Sequence, residues 1–167
     1  MVLVRGLDRA RDRKNAVDIA EQVRLTRKLR PVPYVLTHRD CDAVEPAHEA
    51  LSATIEDTLA QAGITAVAAT PAWEIEAWLW LWPDALVAVH AAWRRPRRDG
   101  TDVGRIKDAK ETLRRDLRSG DGRARDDEEA DAPRVIERAC AMGLLDRPAA
   151  RSASWARFIE RLATVAD

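Results

Sequence analysis

The segment Val32-Pro-Tyr-Val-Leu-Thr-His-Arg-Asp-Cys-Asp42 joins a short apolar run to two closely spaced carboxylates. Residues 32–37 follow Pro31 and are rich in β-branched and aromatic side chains, a pattern that predicts a buried strand. Asp40 and Asp42 come directly after it. Ligand sites in open parallel sheets collect beyond the carboxyl ends of the strands. The segment therefore predicts both a strand and a candidate site.

The sequence around this segment predicts alternating helices and strands. Residues 8–29 have the spacing of a basic amphipathic helix, and residues 2–4 could form a short strand before it. Residues 46–62 form a second apolar stripe that stops at Gly63, a natural C-cap. Residues 64–69 are a further apolar run. A strand, a helix and a strand in this order imply a right-handed parallel crossover.

Four of the six tryptophans lie in residues 73–82. Thr70 could cap a helix with Pro71 at its first position, and Pro83 would break or kink that helix. Such aromatic density predicts packing against the sheet by Trp78, Leu79 and Trp82. Further helices are expected at 106–117, 133–142 and 154–165, and a flexible loop at 119–131.

Together these elements predict a single α/β domain over residues 1–167, with a three-layer, mostly parallel, Rossmann-like sheet and extra C-terminal helices. No apolar run approaches the roughly 20 residues of a membrane span, and no signal peptide is evident. Cys41 and Cys140 lack a partner at disulfide-framework or zinc spacing. We therefore expect a soluble cytoplasmic protein with two free thiols.

The formal charge sums to zero but is segregated along the chain. Residues 1–31 hold 9 basic and 4 acidic groups, whereas residues 32–92 hold 1 and 9. Residues 93–125 hold 12 basic and 6 acidic groups. An acidic centre between basic arms suits a metal site acting on a phosphate polymer, although Arg-rich helices with solvated faces would give the same count.

Asp40 and Asp42 could both turn toward a hard cation, Mg²⁺ or Mn²⁺, with water and phosphate oxygens as its other ligands. The alternative is a turn in which each aspartate caps backbone amides. Glu74 and Glu76 open the next helix and could face the same sheet edge, but the helix macrodipole alone would favour Glu74 there. His38 is expected to be structural.

The order of these motifs resembles the TOPRIM-related proteins of bacterial defence, including the OLD-like and RloB-like nucleases. The resemblance covers roughly residues 32–165 and includes Pro71-Ala-Trp-Glu-Ile-Glu-Ala-Trp-Leu-Trp80 and Ile106-Lys-Asp-Ala-Lys-Glu-Thr-Leu113. It implies a Mg²⁺-dependent nuclease acting on DNA or RNA in antiviral defence. Asp40, Asp42 and Glu76 would form the metal site, and Lys107 or Lys110 would face phosphate.

One departure from that family bears on activity. The strand-end glutamate that normally opens a TOPRIM domain is absent, since the only glutamate before Glu45 is Glu21, inside a basic helix. Either another polypeptide supplies the missing N-terminal piece, or the chain is a non-catalytic subunit that binds nucleic acid or protein. A protein partner or a homo-oligomer is expected. A lesser alternative is a haloacid-dehalogenase-like phosphatase built on Asp40, Asp42, Thr70, Lys110 and Asp126-Asp127.

Overall fold

The computed structural model describes residues 12–118 and 131–166. In these ranges the helices are α1 (Asp12–Arg27), α2 (Ala47–Gln61), α3 (Glu76–Leu79), α4 (Pro83–Val89), α5 (Ala109–Leu117), α6 (Asp131–Ala141) and α7 (Ala153–Ala166), with a 3-10 turn at Val103–Arg105. The strands are β1 (Val35–His38) and β2 (Ala66–Ala69). The strand predicted at 2–4 and all but the last residue of the loop predicted at 119–131 lie outside the described residues.

The two strands pair in parallel, with Val35 opposite Ala66 and His38 opposite Ala69. This confirms the predicted strands, their parallel arrangement and the mixed α/β class. Among the described residues, β1 and β2 make up the whole sheet. Helix α2 connects the strands, and both α2 and α7 contact β2.

Two apolar clusters stabilise the described part of the chain. The smaller one joins α1 and α2 to the start of the sheet through Ile19, Val23, Leu59 and Ile64. The larger one is built from helices. It centres on residues 73–82, here named the tryptophan segment. Its aromatic side chains contact α7. The centroid of the Trp78 ring lies 5.1 Å from that of Trp155 and 5.5 Å from that of Phe158.

The tryptophan segment differs from the predicted helix at its start. Thr70 and Pro71 do not start a helix; residues 71–75 are non-helical, and α3 begins only at Glu76. Helix α3 ends at Leu79 and Pro83 occupies the first turn of a separate helix, α4, so the predicted interruption near Pro83 is observed. The reason for the late start lies in the backbone, because Trp73 N–H donates to Ala43 O (2.8 Å) and this segment pairs with the chain beyond β1.

Trp78, Leu79 and Trp82 are nevertheless buried, with 3%, 0% and 1% exposure. The aromatic contacts of Trp78 and Trp82 are made with α7, so a helix supplies the packing partner that was expected from the sheet. Asp131, expected to end the flexible loop, instead begins α6. The helices predicted near 46–62, 133–142 and 154–165 are confirmed as α2, α6 and α7.

The buried carboxylate of Glu45 anchors α7. Its oxygens accept hydrogen bonds from Ser152 Oγ (2.8 Å), Ala153 N (2.9 Å) and Ser154 N (2.8 Å). The first amide donors of a helix have no partner within the helix, so this carboxylate acts as a cap supplied from more than 100 residues away. Gly104 packs against the same carboxyl group and leaves no room for a Cβ atom.

Glu56 provides a second anchor for α7. Its carboxylate accepts hydrogen bonds from Arg157 Nη2 (2.9 Å) and Arg161 Nε (3.2 Å), and also from Ala68 N of β2 (3.0 Å). Burial alone would raise the pKa of Glu56, but the Arg157 side chain and the other donors lower it. The Glu56 carboxylate of α2 is thus hydrogen-bonded to both β2 and α7.

No helix in the described ranges is long and apolar enough to cross a membrane. Cys41 and Cys140 are both free thiols, as predicted.

Candidate functional site

The chain segments after β1 and β2 run side by side beyond the ends of the strands. Backbone N–H groups donate across the gap at 2.8 to 3.1 Å, from Arg39 to Ala69, from Cys41 to Pro71, from Asp42 to Trp73 and from Trp73 to Ala43. This pairing places the Asp40–Asp42 loop beside the residues that lead into Glu74 and Glu76. The predicted meeting of the two segments at one sheet edge is therefore observed.

Three non-glycine residues among those described have left-handed backbone angles, two of them in the paired segments after the strands and one at the N-cap of α5. They are Asp42 (φ 54°), Trp73 (φ 56°) and Asp108 (φ 49°). Aspartate tolerates this conformation, whereas for a bulky residue such as Trp73 it is uncommon. Each such residue costs on the order of 1 kcal/mol, and strained backbone persists where surrounding contacts hold it. We call this region the strand-end cleft; it comprises Asp40, Asp42, Trp73, Glu74, Glu76 and Lys110.

Asp40 is the more buried member of the aspartate pair. Its side chain is 18% exposed, and its Oδ1 lies 3.2 Å from Nε2 of His38, whose side chain is 52% exposed. Asp42 is exposed. His38 was expected to be a structural histidine. It is instead a surface residue that contacts Asp40, one of the two candidate metal-binding aspartates.

Glu74 and Glu76 face Lys110 at the start of α5. The Lys110 backbone N–H donates to Glu74 Oε2 (3.3 Å), and Lys110 Nζ lies 3.6 Å from Glu76 Oε1. Burial, followed by the negative charge of Glu76, raises the pKa of Glu74. The structure therefore brings predicted site residues Glu76 and Lys110 into contact, and it adds Glu74, which the sequence had attributed to the helix macrodipole.

Lys107 lies two residues before α5 and is exposed. Within the described ranges its ammonium group has no ion-pair partner, and only its carbonyl is used, as acceptor for Thr112 Oγ1 (3.3 Å). Lys110, and not Lys107, is therefore the lysine that contacts the carboxylates.

A metal site of three carboxylates is not formed in this arrangement. In residues 12–118 and 131–166, no group of three or more His, Cys, Asp or Glu side chains is placed to hold a metal ion. Glu76 is instead engaged by Lys110. Asp40 and Asp42 remain as candidate ligands, since Mg²⁺ commonly binds one or two carboxylates together with water and substrate phosphate.

Trp73 is a residue of the strand-end cleft that the sequence did not single out. Its indole Nε1–H is buried and lacks a hydrogen-bond partner among the described residues. A buried indole N–H usually finds an acceptor. The only signal in the sequence was its position directly before Glu74.

His90 lies directly after α4. Its Nε2 lies 3.1 Å from Oδ1 of buried Asp131, and its ring meets Trp93 edge to face at 4.5 Å. These contacts join the end of α4 to the start of α6, so the role they support is structural.

No family model, no curated protein and no solved structure matches the chain.

Proposed function

We propose that this chain is a TOPRIM-like, Mg²⁺-dependent nuclease domain or subunit that acts on phosphodiester bonds of nucleic acid in defence against phage or mobile elements. The observation that carries the proposal is the backbone pairing beyond β1 and β2, which sets Asp40 and Asp42 beside the segment bearing Glu74 and Glu76. Lys110 supplies a cation at the same place.

In this proposal the aspartates and Lys110 would have separate roles. Asp40 and Asp42 would hold the divalent cation, which when bound would neutralise charge on a phosphate and act as a Lewis acid. Lys110 would balance the charge of Glu76 and lie close to an incoming phosphate. Glu76 pairs with Lys110 and Glu74 accepts the Lys110 backbone N–H, so the proposal assigns no described carboxylate to the activation of water. The site is therefore incomplete until a partner protein or a second copy of the chain adds that group.

A larger, three-layer Rossmann-like sheet belongs to the same proposal. The Val35 N–H donates to Thr65 O, so the backbone N–H and C=O groups of Val35 and Thr37 face β2. Those of Leu36 therefore point to the opposite edge of β1. Leu36 is also 54% exposed. An open edge with an exposed leucine supports the addition of a further strand.

The second candidate is a non-catalytic subunit that binds nucleic acid or protein. It is favoured by the Lys110–Glu76 ion pair and by the lack of a three-residue metal group in the described ranges. No observation favours the phosphatase. Thr70, which would be its strand-end hydroxyl, is buried and hydrogen-bonded to Ser52, and Asp126-Asp127 lie outside the described residues.

Mn²⁺ binding tests the metal site directly. We expect the purified chain to bind Mn²⁺, a carboxylate-binding substitute for Mg²⁺, and Asp40→Asn to weaken binding at least about tenfold, since even outer-shell partners of a metal contribute about 10- to 100-fold. Isothermal titration calorimetry would measure both. Asp57→Asn, which removes an exposed carboxylate from α2, is the matched control. Equal affinity of the wild type and Asp40→Asn would exclude the proposed metal site.

Cleavage assays separate the two candidate functions. Supercoiled DNA, linear DNA and RNA should be cut slowly at most by the chain alone, because general-base catalysis contributes about 10² to 10⁴ in rate. Robust cleavage that Asp40→Asn abolishes would show that the chain completes its own site. Mn²⁺ binding without cleavage, even after the chain is assembled with its partner, would favour the binding subunit.

A further inference from the structure

The strongest charged feature outside the strand-end cleft lies at the far end of α5. Residues 94–98 and 114–118 together contain seven arginines and one aspartate. Two contacts hold these segments together: Arg94 N–H donates to Leu117 O (2.8 Å), and Arg98 Nε donates to Asp116 Oδ2 (2.8 Å). Arg98 is further held over the Trp80 ring at 5.7 Å.

Helix α5 connects this feature to the cleft. Lys110 and Arg114 are four residues apart and therefore lie along one face of α5, and Arg118, the C-cap residue directly after the helix, continues the same spacing. At 1.5 Å per residue, Arg114 is about 6 Å from Lys110 along the axis, and Arg118 at the end of the helix is about 12 Å away. Lys110 reaches Glu76, so the row of cations begins at the cleft carboxylates and ends beside Arg94.

Two arginines next to the row have side chains available for binding. Arg94 and Arg97 are exposed, and neither side chain has a hydrogen-bond or ion-pair partner among the described residues. Basic residues in the last turn of α5 are also favoured by the helix macrodipole, which accounts for Arg114 and Arg115. That effect does not extend to Arg94 and Arg97, because they lie outside the helix.

We infer that Arg94, Arg97, Arg114 and Arg118, here named the arginine surface, bind the phosphate backbone of nucleic acid and lead it to the strand-end cleft. The inference rests on the proposed function and names the surface by which the substrate is held. Arginine forks match phosphate geometry bidentately, and a duplex strand presents a phosphate about every 3.4 Å of axis, so roughly four phosphates span the row. An acidic protein is the alternative ligand, but it would not explain why the row ends at the cleft.

Binding measured by fluorescence anisotropy tests this inference independently of cleavage. We expect labelled 30-nucleotide DNA or RNA to bind the wild-type chain, and Arg94→Gln/Arg97→Gln/Arg118→Gln to bind about tenfold or more weakly at about 100 mM salt. The slope of log affinity against log salt should fall by roughly 2 to 3, about one for each phosphate contact removed.

The matched control removes three exposed cations from the other basic arm, with Arg24→Gln, Lys28→Gln and Arg30→Gln. Thermal melting should show that both triple variants are folded. Equal weakening by the two variants, a greater effect of the α1 variant, or no binding by the wild type would overturn the inference. Preference for a Glu-rich peptide over nucleic acid would also overturn it and assign the surface to an acidic protein.

Omitting the divalent cation separates this inference from the proposed function. Binding measured in EDTA should still be weakened by the arginine-surface substitutions, because the arginine surface needs no metal ion. A chain that binds through the arginine surface but shows neither Mn²⁺ binding nor cleavage would retain this inference while excluding the nuclease.

Discussion

Replacing Glu45 with alanine is expected to lower the free energy of unfolding by about 3 to 5 kcal/mol, because a buried donor left unsatisfied costs about 1 to 3 kcal/mol. The substitution leaves the first amides of α7, at Ala153 and Ser154, without their acceptor, and it removes one of the hydrogen-bond partners of the Ser152 hydroxyl. Chemical denaturation followed by circular dichroism would measure the change. Glu49→Ala, at an exposed position on α2, is the matched control and should change stability by less than about 0.5 kcal/mol.

A double-mutant cycle with Gly104 makes this prediction specific. Gly104→Ala would drive a Cβ atom into the Glu45 carboxyl group, so the single variant should also be strongly destabilised. In the Glu45→Ala background the added methyl group has space, and its cost should largely disappear. Additive effects of the two substitutions would show that Gly104 and Glu45 are not in contact.

The same carboxylate should give stability a characteristic pH dependence. Burial would raise the pKa of Glu45, but the amides of Ser154 and Ala153 and the Ser152 hydroxyl outweigh burial and lower it. Because the folded pKa lies below the unfolded one, the contribution is complete above about pH 4.3 and is lost as pH falls through the folded value. Wild-type stability should therefore decline more steeply than that of Glu45→Ala on acidification.

Trp78→Ala is the second substitution with a large expected effect, a loss of about 3 to 5 kcal/mol. The indole is 3% exposed, contacts the rings of Trp155 and Phe158, and donates from Nε1 to Ser154 Oγ at 2.9 Å. Removing it opens a cavity where α3 meets α7. Thermal and denaturant unfolding would give the change in free energy.

Trp78→Phe is the control for the hydrogen bond, since it keeps an aromatic ring and loses only the donor and some volume. We expect it to cost less than Trp78→Ala by at least about 1 kcal/mol. If Trp78→Ala melted like the wild type but lost nucleic-acid binding, the side chain would be a base-stacking platform and not part of the core.

The elements confirmed from the sequence are those specified by local patterns. Helix α2 has an apolar stripe with a glycine just beyond its end, and β1 and β2 are short apolar runs bounded by proline, glycine or polar residues. Their parallel pairing followed from chain order alone. The placement of Asp40 at the edge where the second strand also ends followed in turn from that pairing.

The parts that were wrong or missed depend on contacts distant in sequence. Thr70 and Pro71 are residue types that commonly start a helix. Here the hydrogen bond between the Trp73 N–H and the Ala43 carbonyl holds the segment in a non-helical conformation. Glu45 and Glu56 showed no local pattern, because the donors that link them to α7 lie 101 to 109 residues further along the chain. The ion pair between Lys110 and Glu76 engages one of the three carboxylates of the predicted metal site. The spacing of these residues along the sequence does not predict that contact.

The anchoring of α7 by Glu45 and Glu56 has a consequence for how the protein is made. During synthesis, at about 5 to 20 residues per second, the ribosome needs roughly 5 to 20 s to add the chain that separates these carboxylates from their donors. In that interval two acidic side chains destined for the interior remain hydrated. Trp78 and Trp82, which are made before Trp155, also lack their aromatic partner. The nascent chain should therefore be a chaperone client until α7 has emerged.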